Sequence, residues 1–329
     1  MIPRLNISFP IKRQWQYWCG KEYEPQKGEY LLNHARTGIV MALRAALPKG
    51  GRVGVVAYNC HTVANAVVNA GYVPVFVDVT DKLMIDVKSV PENLDAIVVT
   101  NLFGIRNDIA AIRKRLPKAI IIVDNAHGYG LPAEGDFTVY SINQGKFPAL
   151  GPGGILIVSQ KLPTIIQKSV EEQYAALPSY GFIAQVKLFA LMLIKAIAYS
   201  RCMYWLTMKM KKSSNPKVHQ EVVMRKMAKG VSRLYNAALP EIPKMIDLQR
   251  QNATQIDGAF YGENAFMAIV KCENPAALKA VYAAKGIETE THFKYAIIWA
   301  EQFGYKRCSC PKAEELTTKL LMIPTYTKI

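Results

Sequence analysis

Apolar positions in the first half of the chain fall into two alternating rhythms. RVGVVAY (52–58), VPVFVDV (73–79), AIVVTNLFG (96–104) and AIIIVD (119–124) are short, almost continuously apolar runs, which predicts buried strands. Between them, TGIVMALRAAL (37–47), HTVANAVVNAG (61–71) and DIAAIRKRL (108–116) space their apolar residues as helices do. Gly71 and the Pro48-Lys49-Gly50-Gly51 turn act as stops, and a loop with a short helix runs through Pro91. Strand and helix alternate with short connections. The expected fold is therefore α/β, with a mostly parallel sheet covered by helices on both faces. Ligands of such sheets bind beyond the carboxyl ends of the strands.

The last of these strands, Ile120–Val123, ends on an acid, Asp124. A Gly-rich turn follows, then a second short strand, Phe137–Ile142, and a loop presenting Lys146 before Gly151-Pro152-Gly153-Gly154. Most Asp and Lys residues in loops are merely solvated. An acid just past a strand, with a lysine among hydroxyl-bearing and glycine residues downstream, also suits pyridoxal phosphate. The lysine forms the Schiff base and the carboxylate pairs with the pyridinium nitrogen.

Elsewhere the pattern changes. Residues 1–33 read as an irregular arm, with Trp15, Tyr17 and Trp18 packing on the main body or on a second subunit. Residues 34–175 form the expected large domain and 176–229 an apolar, basic helical insertion. The insertion's long helix is interrupted by Lys187, Lys195 and Arg201 before it reaches the roughly 20 apolar residues of a membrane span. It reads either as a core or interface helix or as an in-plane amphipathic helix with a basic tail at Lys209, Lys211, Lys212 and Lys217. Residues 230–329 form a smaller α+β domain: a helix over 245–259, strand AFMAIVKC, helix PAALKAVYAAKG and a strand after Gly286.

Composition adds one unusual feature, a formal net charge of +16 from 41 basic and 25 acidic residues. Such a surface attracts phosphorylated small molecules, anionic lipid or polyanions. The basic residues are spread rather than interleaved with aromatics in a recognised module, so nucleic acid is not expected as a partner. Six cysteines form no C-x-x-C pair and no metal-binding spacing, which fits reduced thiols in the cytoplasm. The first residues contain no apolar run of signal-peptide length.

The order of these motifs resembles the DegT/StrS nucleotide-sugar aminotransferases, pyridoxal phosphate enzymes of fold type I. The matching blocks are Ala35-Arg36-Thr37-Gly38, VVAYNCHTVANAVVNAG, VPVFVDV, NLFG followed by Asp108, VDNAH (123–127) and SINQGKFPALGPGG (141–154). The resemblance implies that Lys146 is the Schiff-base lysine, Asp124 the partner of the ring nitrogen and His127 the partner of the ring's phenolic oxygen. It further implies a phosphate cradle from Thr37, the Gly38 amide, Ser141 and Arg36. Asn143 is a further cofactor-binding candidate. Cys60 falls where an aromatic normally stacks on the ring, flanked by Tyr58 and His61. Gly230-Val231-Ser232-Arg233 matches a segment that reaches the neighbouring subunit's cofactor, with Ser232 in place of Asn.

The implied activity is transfer of an amino group, glutamate being the usual donor, to a keto-sugar nucleotide in surface polysaccharide or related sugar biosynthesis. The implied assembly is a homodimer, with peripheral contact to an anionic membrane as a further expectation. Relatives that dehydrate sugars carry His at the position of Lys146, which disfavours dehydration. The alternative is a degenerate cofactor-binding homologue acting as a regulator, motivated by Ser232 and by chain ends shorter than the family's usual ones.

Overall fold

The computed structural model describes residues 2–3, 13–200, 202–204, 206 and 218–327. In chain order these form α1 (Gln14–Cys19), β1 (Glu29–Leu32), α2 (Ala35–Ala46), β2 (Arg52–Val56), α3 (His61–Ala70), β3 (Val73–Val77), β4 (Ala96–Thr100), α4 (Ile109–Arg115), β5 (Ile120–Asn125), β6 (Phe137–Ser141) and β7 (Gly154–Val158). Then come α5 (Thr164–Ala176), α6 (Phe182–Ala198), α7 (Lys229–Ala238), α8 (Ile242–Ala253), β8 (Phe260–Tyr261), β9 (Met267–Lys271), α9 (Pro275–Ala284), α10 (Ala296–Glu301), α11 (Pro311–Lys319) and β10 (Leu320–Pro324).

Among the described residues, a seven-stranded sheet runs β1-β7-β6-β5-β4-β2-β3 and a three-stranded one runs β10-β9-β8. Strands β2 to β6 are mutually parallel, while β7 runs antiparallel to both β6 and β1. The period of two along each strand explains why both faces are apolar. Val53, Val55, Val98, Ile122 and Val139 pack under α2 and α3 with Ile39, Met41, Leu43 and Val67. Ile97, Val99, Ile121, Val123 and Tyr140 face the opposite core with Leu234 and Tyr235 of α7.

Several expectations are refined. Helix α2 starts two residues earlier than Thr37, at Ala35, with His34 as its extended N-cap. The arm is not wholly irregular, since it contributes α1 and the edge strand β1. Tyr17 is fully buried and Trp18 packs against Phe189, but Trp15 is exposed. The stretch after Gly286 makes only isolated bridges, Ile287 to Ile2 and Glu290 to Met322. Its place beside β9 is taken by β10, which the pattern of the last residues did not announce. Helix α6 spans 17 residues, and no helix among the described residues is long and apolar enough to cross a membrane. Arg201, Lys209, Lys211, Lys212 and Lys217 lie outside the described residues.

Candidate functional site

The strand order reverses between β2 and β4, because β3 lies on one side of β2 and β4, β5 and β6 on the other. Carboxyl ends diverge at such a switch point and leave a crevice. There a cavity of about 240 Å³ opens, and its walls include His34, Arg36, Asn59, Cys60, Asp124 and Lys146. Two glycines let α2 reach it. A Cβ on Gly154 would collide with the backbone of His34 and Ala35, and one on Gly38 would lie 2.8 Å from Val139 Cγ1.

Parallel register sets Thr100 beside Asp124. Asn59 Nδ2 donates to Thr100 Oγ1 at 2.9 Å, and that hydroxyl donates to Asp124 Oδ2 at 3.3 Å. The Ala126 N–H holds the other carboxylate oxygen at 3.0 Å. Burial raises the Asp124 pKa, opposed by the Ala126 and Thr100 hydrogen bonds and the Lys146 charge. Two neutral donors leave much of a buried carboxylate's charge uncompensated, so the position favours an adjacent cationic N–H.

His127 stands one turn beyond, its Nε2 2.6 Å from Lys146 Nζ and its Nδ1 facing the Phe103 N–H at 3.3 Å. Phe103 and Phe293 stack near-parallel to the imidazole, with centroids 5.0 and 5.8 Å away. Burial among these rings, then the charge of Lys146, drives the His127 pKa well down, so the ring is neutral near pH 7. Phe103 and Phe293 both adopt left-handed backbone, at φ 52° and 56°. For bulky residues that conformation is costly, and it recurs where a site over-determines the chain.

At the other end, Ala35 and Arg36 open α2 into the cavity, where the positive end of a helix favours an anion. Burial lowers the Arg36 pKa, and the anionic group that counters this is the Cys60 thiol rather than a carboxylate. Ser141 and Asn143 line the same wall, the Asn143 N–H reaching Ser141 Oγ at 3.4 Å. Cys60 stands beside this end of the cavity. Burial would raise its pKa, but His61, the Lys146 charge and the Thr62 hydroxyl, donating at 3.2 Å, bring it down to about 7.

Of the residues expected from sequence, the cavity gathers Arg36, Cys60, Asp124, His127, Ser141, Asn143 and Lys146. The others are placed elsewhere. Because α2 begins early, Thr37 is buried one step behind the mouth, its hydroxyl donating to Asn33 at 2.8 Å, and Gly38 is a packing contact. Tyr58 is buried beneath the floor and donates to the His292 carbonyl at 2.7 Å. His61 turns edge-on to Trp299 and lines a smaller neighbouring cavity. Arg233 ties α7 to the arm, donating to the Trp18 carbonyl at 2.6 Å and pairing with Glu22 at 3.1 Å. Within one protomer it does not reach the cavity.

Sequence reasoning missed His34, Asn59, Thr62, Thr100 and Phe293, all of which line it. Asn59 and Thr100 were findable as polar residues just past or at the carboxyl ends of parallel strands. Phe293 comes from a segment remote in sequence and gave no local signal.

The donor set fits a phosphorylated pyridine aldehyde: a helix terminus with an arginine for a phosphate, a buried carboxylate for a ring N–H, and an amine lining the same cavity. Comparison with solved structures supports the same fold. Sugar aminotransferase CalS13 from Micromonospora echinospora is 15% identical and superposes with a TM-score of 0.71 over 99% of this chain and 95% of its own. Spr1654 from Streptococcus pneumoniae, in its PLP form, is 17% identical with a TM-score of 0.67 over 100% and 88%. The E. coli GDP-4-keto-6-deoxy-D-mannose-3-dehydratase with bound hydrated PLP is 15% identical with a TM-score of 0.67 over 96% and 87%. At such identities the likeness establishes the fold, PLP-transferase fold type I, and nothing finer. No curated protein matches by sequence. The sequence model of the DegT/DnrJ/EryC1/StrS aminotransferases matches residues 31–329, and the chain belongs to that family.

Proposed function

We propose that the cavity holds pyridoxal phosphate and that the chain transfers an amino group from a donor, glutamate in the family's habit, to a keto-sugar nucleotide. The observation that carries this is that Lys146, His127 and Asp124 line one cavity together with Arg36 and the first residues of α2. Bound there, the cofactor would supply an electron sink that lets a Cα–H bond of an amino compound break.

The chain's own residues divide the remaining work. Lys146 would hold the aldehyde as a Schiff base, and its amine is the chain's candidate for moving the proton at the Cα of the bound amino compound. The neutral His127 imidazole at 2.6 Å orients that amine and stands where the ring's phenolic oxygen would be met. Asp124 would hold the proton of the ring nitrogen, because burial makes an unpaired carboxylate there costly. Arg36, the first amides of α2 and Ser141 would anchor the phosphate. Retention of Lys146 favours amination over dehydration. The family resemblance further supports a homodimer working in the cytoplasm on sugars destined for surface polysaccharide.

Lys146→Ala tests the reading. Wild-type protein with pyridoxal phosphate should show a visible absorption band that borohydride removes, leaving reduced cofactor covalently on Lys146. The variant should show neither band nor label. A labelled lysine other than Lys146, or an unchanged band in the variant, would refute the assignment.

A further inference from the structure

Helix α6 has two unlike stripes. The inner one, with Met192 and Ala196 buried, packs on the loop that carries Lys146: Gln144 Nε2 donates to the Met192 carbonyl at 3.2 Å, and Met192 crowds Gly151. The outer one consists of Phe182, Ile183, Val186, Leu191, Ile194 and Ile197, exposed by 40% to 74%. Their spacing of one, three, five, three and three residues puts them on one side of a helix. Soluble surfaces seldom leave so many large apolar side chains adjacent and uncovered.

Charge distinguishes between occupants. Lys187 and Lys195 are exposed on α6 itself. Glu221 is the only acid between Leu177 and Gly230, a stretch with eight lysines and two arginines. A second copy docking face to face would bring the Lys187 and Lys195 of both copies together, whereas an anionic lipid surface neutralises them. The helix is too short to span a bilayer but suits one that lies in the headgroup boundary with its apolar side down.

We infer that the outer face of α6 seats the protein on an anionic membrane surface, with α6 parallel to the bilayer. This rests on the helix alone and stands whether or not the chemistry proposed above is correct. Because the inner stripe grips the Lys146 loop, the membrane contact and the candidate site share one rigid helix.

The test is co-sedimentation with vesicles of phosphatidylcholine alone and of phosphatidylcholine mixed equally with phosphatidylglycerol. Wild-type protein should pellet with the mixed vesicles only, and less so as salt rises. The double variant Leu191→Glu, Ile194→Glu should weaken partitioning at least about tenfold. Val68→Glu, an exposed apolar position on α3, should leave it unchanged. Light scattering should give the same mass for wild type and the double variant. Absence of pelleting at low salt, equal partitioning of the double variant, an equal loss with Val68→Glu, or a fall in mass that marks α6 as a contact between copies would each overturn the inference.

Discussion

Acidification should weaken this fold in part through His34, which lines the cavity. Burial is the main reason that the His34 pKa falls from 6.5 to about 4, with the charges of Arg36 and Lys195 adding to it. The unfolded chain binds a proton at this position near pH 6.5, whereas the folded chain does so only near pH 4. Stability from this group is therefore complete above about pH 6.5 and is lost progressively as the pH falls toward 4, because the unfolded state takes up the proton first. The fall from 6.5 to about 4, at about 1.4 kcal/mol for each tenfold change in proton affinity, sets an upper bound of about 3.5 kcal/mol. The ring is partly open to water, so about 2 kcal/mol is the expected size. Urea unfolding followed by tryptophan fluorescence at pH 7 and pH 4 measures it. Wild type should lose about 2 kcal/mol more than His34→Gln over that interval. His127, also held neutral, is present in both proteins and cancels in the comparison. Inorganic phosphate should shrink the difference by offering His34 an anion. Equal losses in the two proteins would refute the placement of His34 beside uncompensated positive charge.

Arg36→Gln should weaken binding of pyridoxal phosphate by about tenfold to a hundredfold, the worth of a charge-assisted hydrogen bond, and leave binding of pyridoxal unchanged. Equilibrium dialysis separates the two, and a parallel loss for both ligands would place the phosphate elsewhere. Cys60, with its thiol pKa at about 7, should be alkylated by iodoacetamide at a rate that rises through pH 7 and falls when pyridoxal phosphate is present. Peptide mapping distinguishes it from the exposed Cys19, Cys202 and Cys308. Cofactor without effect on Cys60 labelling would remove Cys60 from the cavity wall under the ring.

The sheet was legible because its strands are apolar on both sides, a pattern that local sequence expresses fully. Helix α3 was legible to its last residue because Gly71, at φ 99°, ends it in the left-handed conformation. Asp124, His127 and Lys146 were legible because short spacings on successive strand ends keep them together. The start of α2 lay two residues before the expected Thr37 because helix starts are weakly encoded: the residue at the cap position, His34, serves by conformation rather than by a side-chain bond. Edge strand β1 was hidden because its partner, β7, lies more than a hundred residues away in sequence. The direction of Arg233 within its own protomer was hidden for a similar reason. The motif around it fixed its neighbours, but Glu22 and the Trp18 carbonyl, far off in the chain, fixed its direction.

One polar contact ties the site to the far end of the chain. Asn264, just ahead of β9, donates through Nδ2 to the carbonyls of His127 at 2.8 Å and Tyr129 at 3.1 Å, while its Oδ1 accepts from the Phe266 N–H at 3.2 Å. Tyr58 is likewise anchored by the His292 carbonyl, and Phe293 closes over the imidazole. The ribosome delivers the chain from its N-terminus, so Asp124, His127 and Lys146 emerge well before the residues that fix their loops. Until Asn264 and Phe293 leave the exit tunnel, the nascent chain has the chemical groups of the site without their geometry. Assembly of the crevice thus waits on residues made more than a hundred positions after Lys146, and only then does the chain become competent to capture a ligand there.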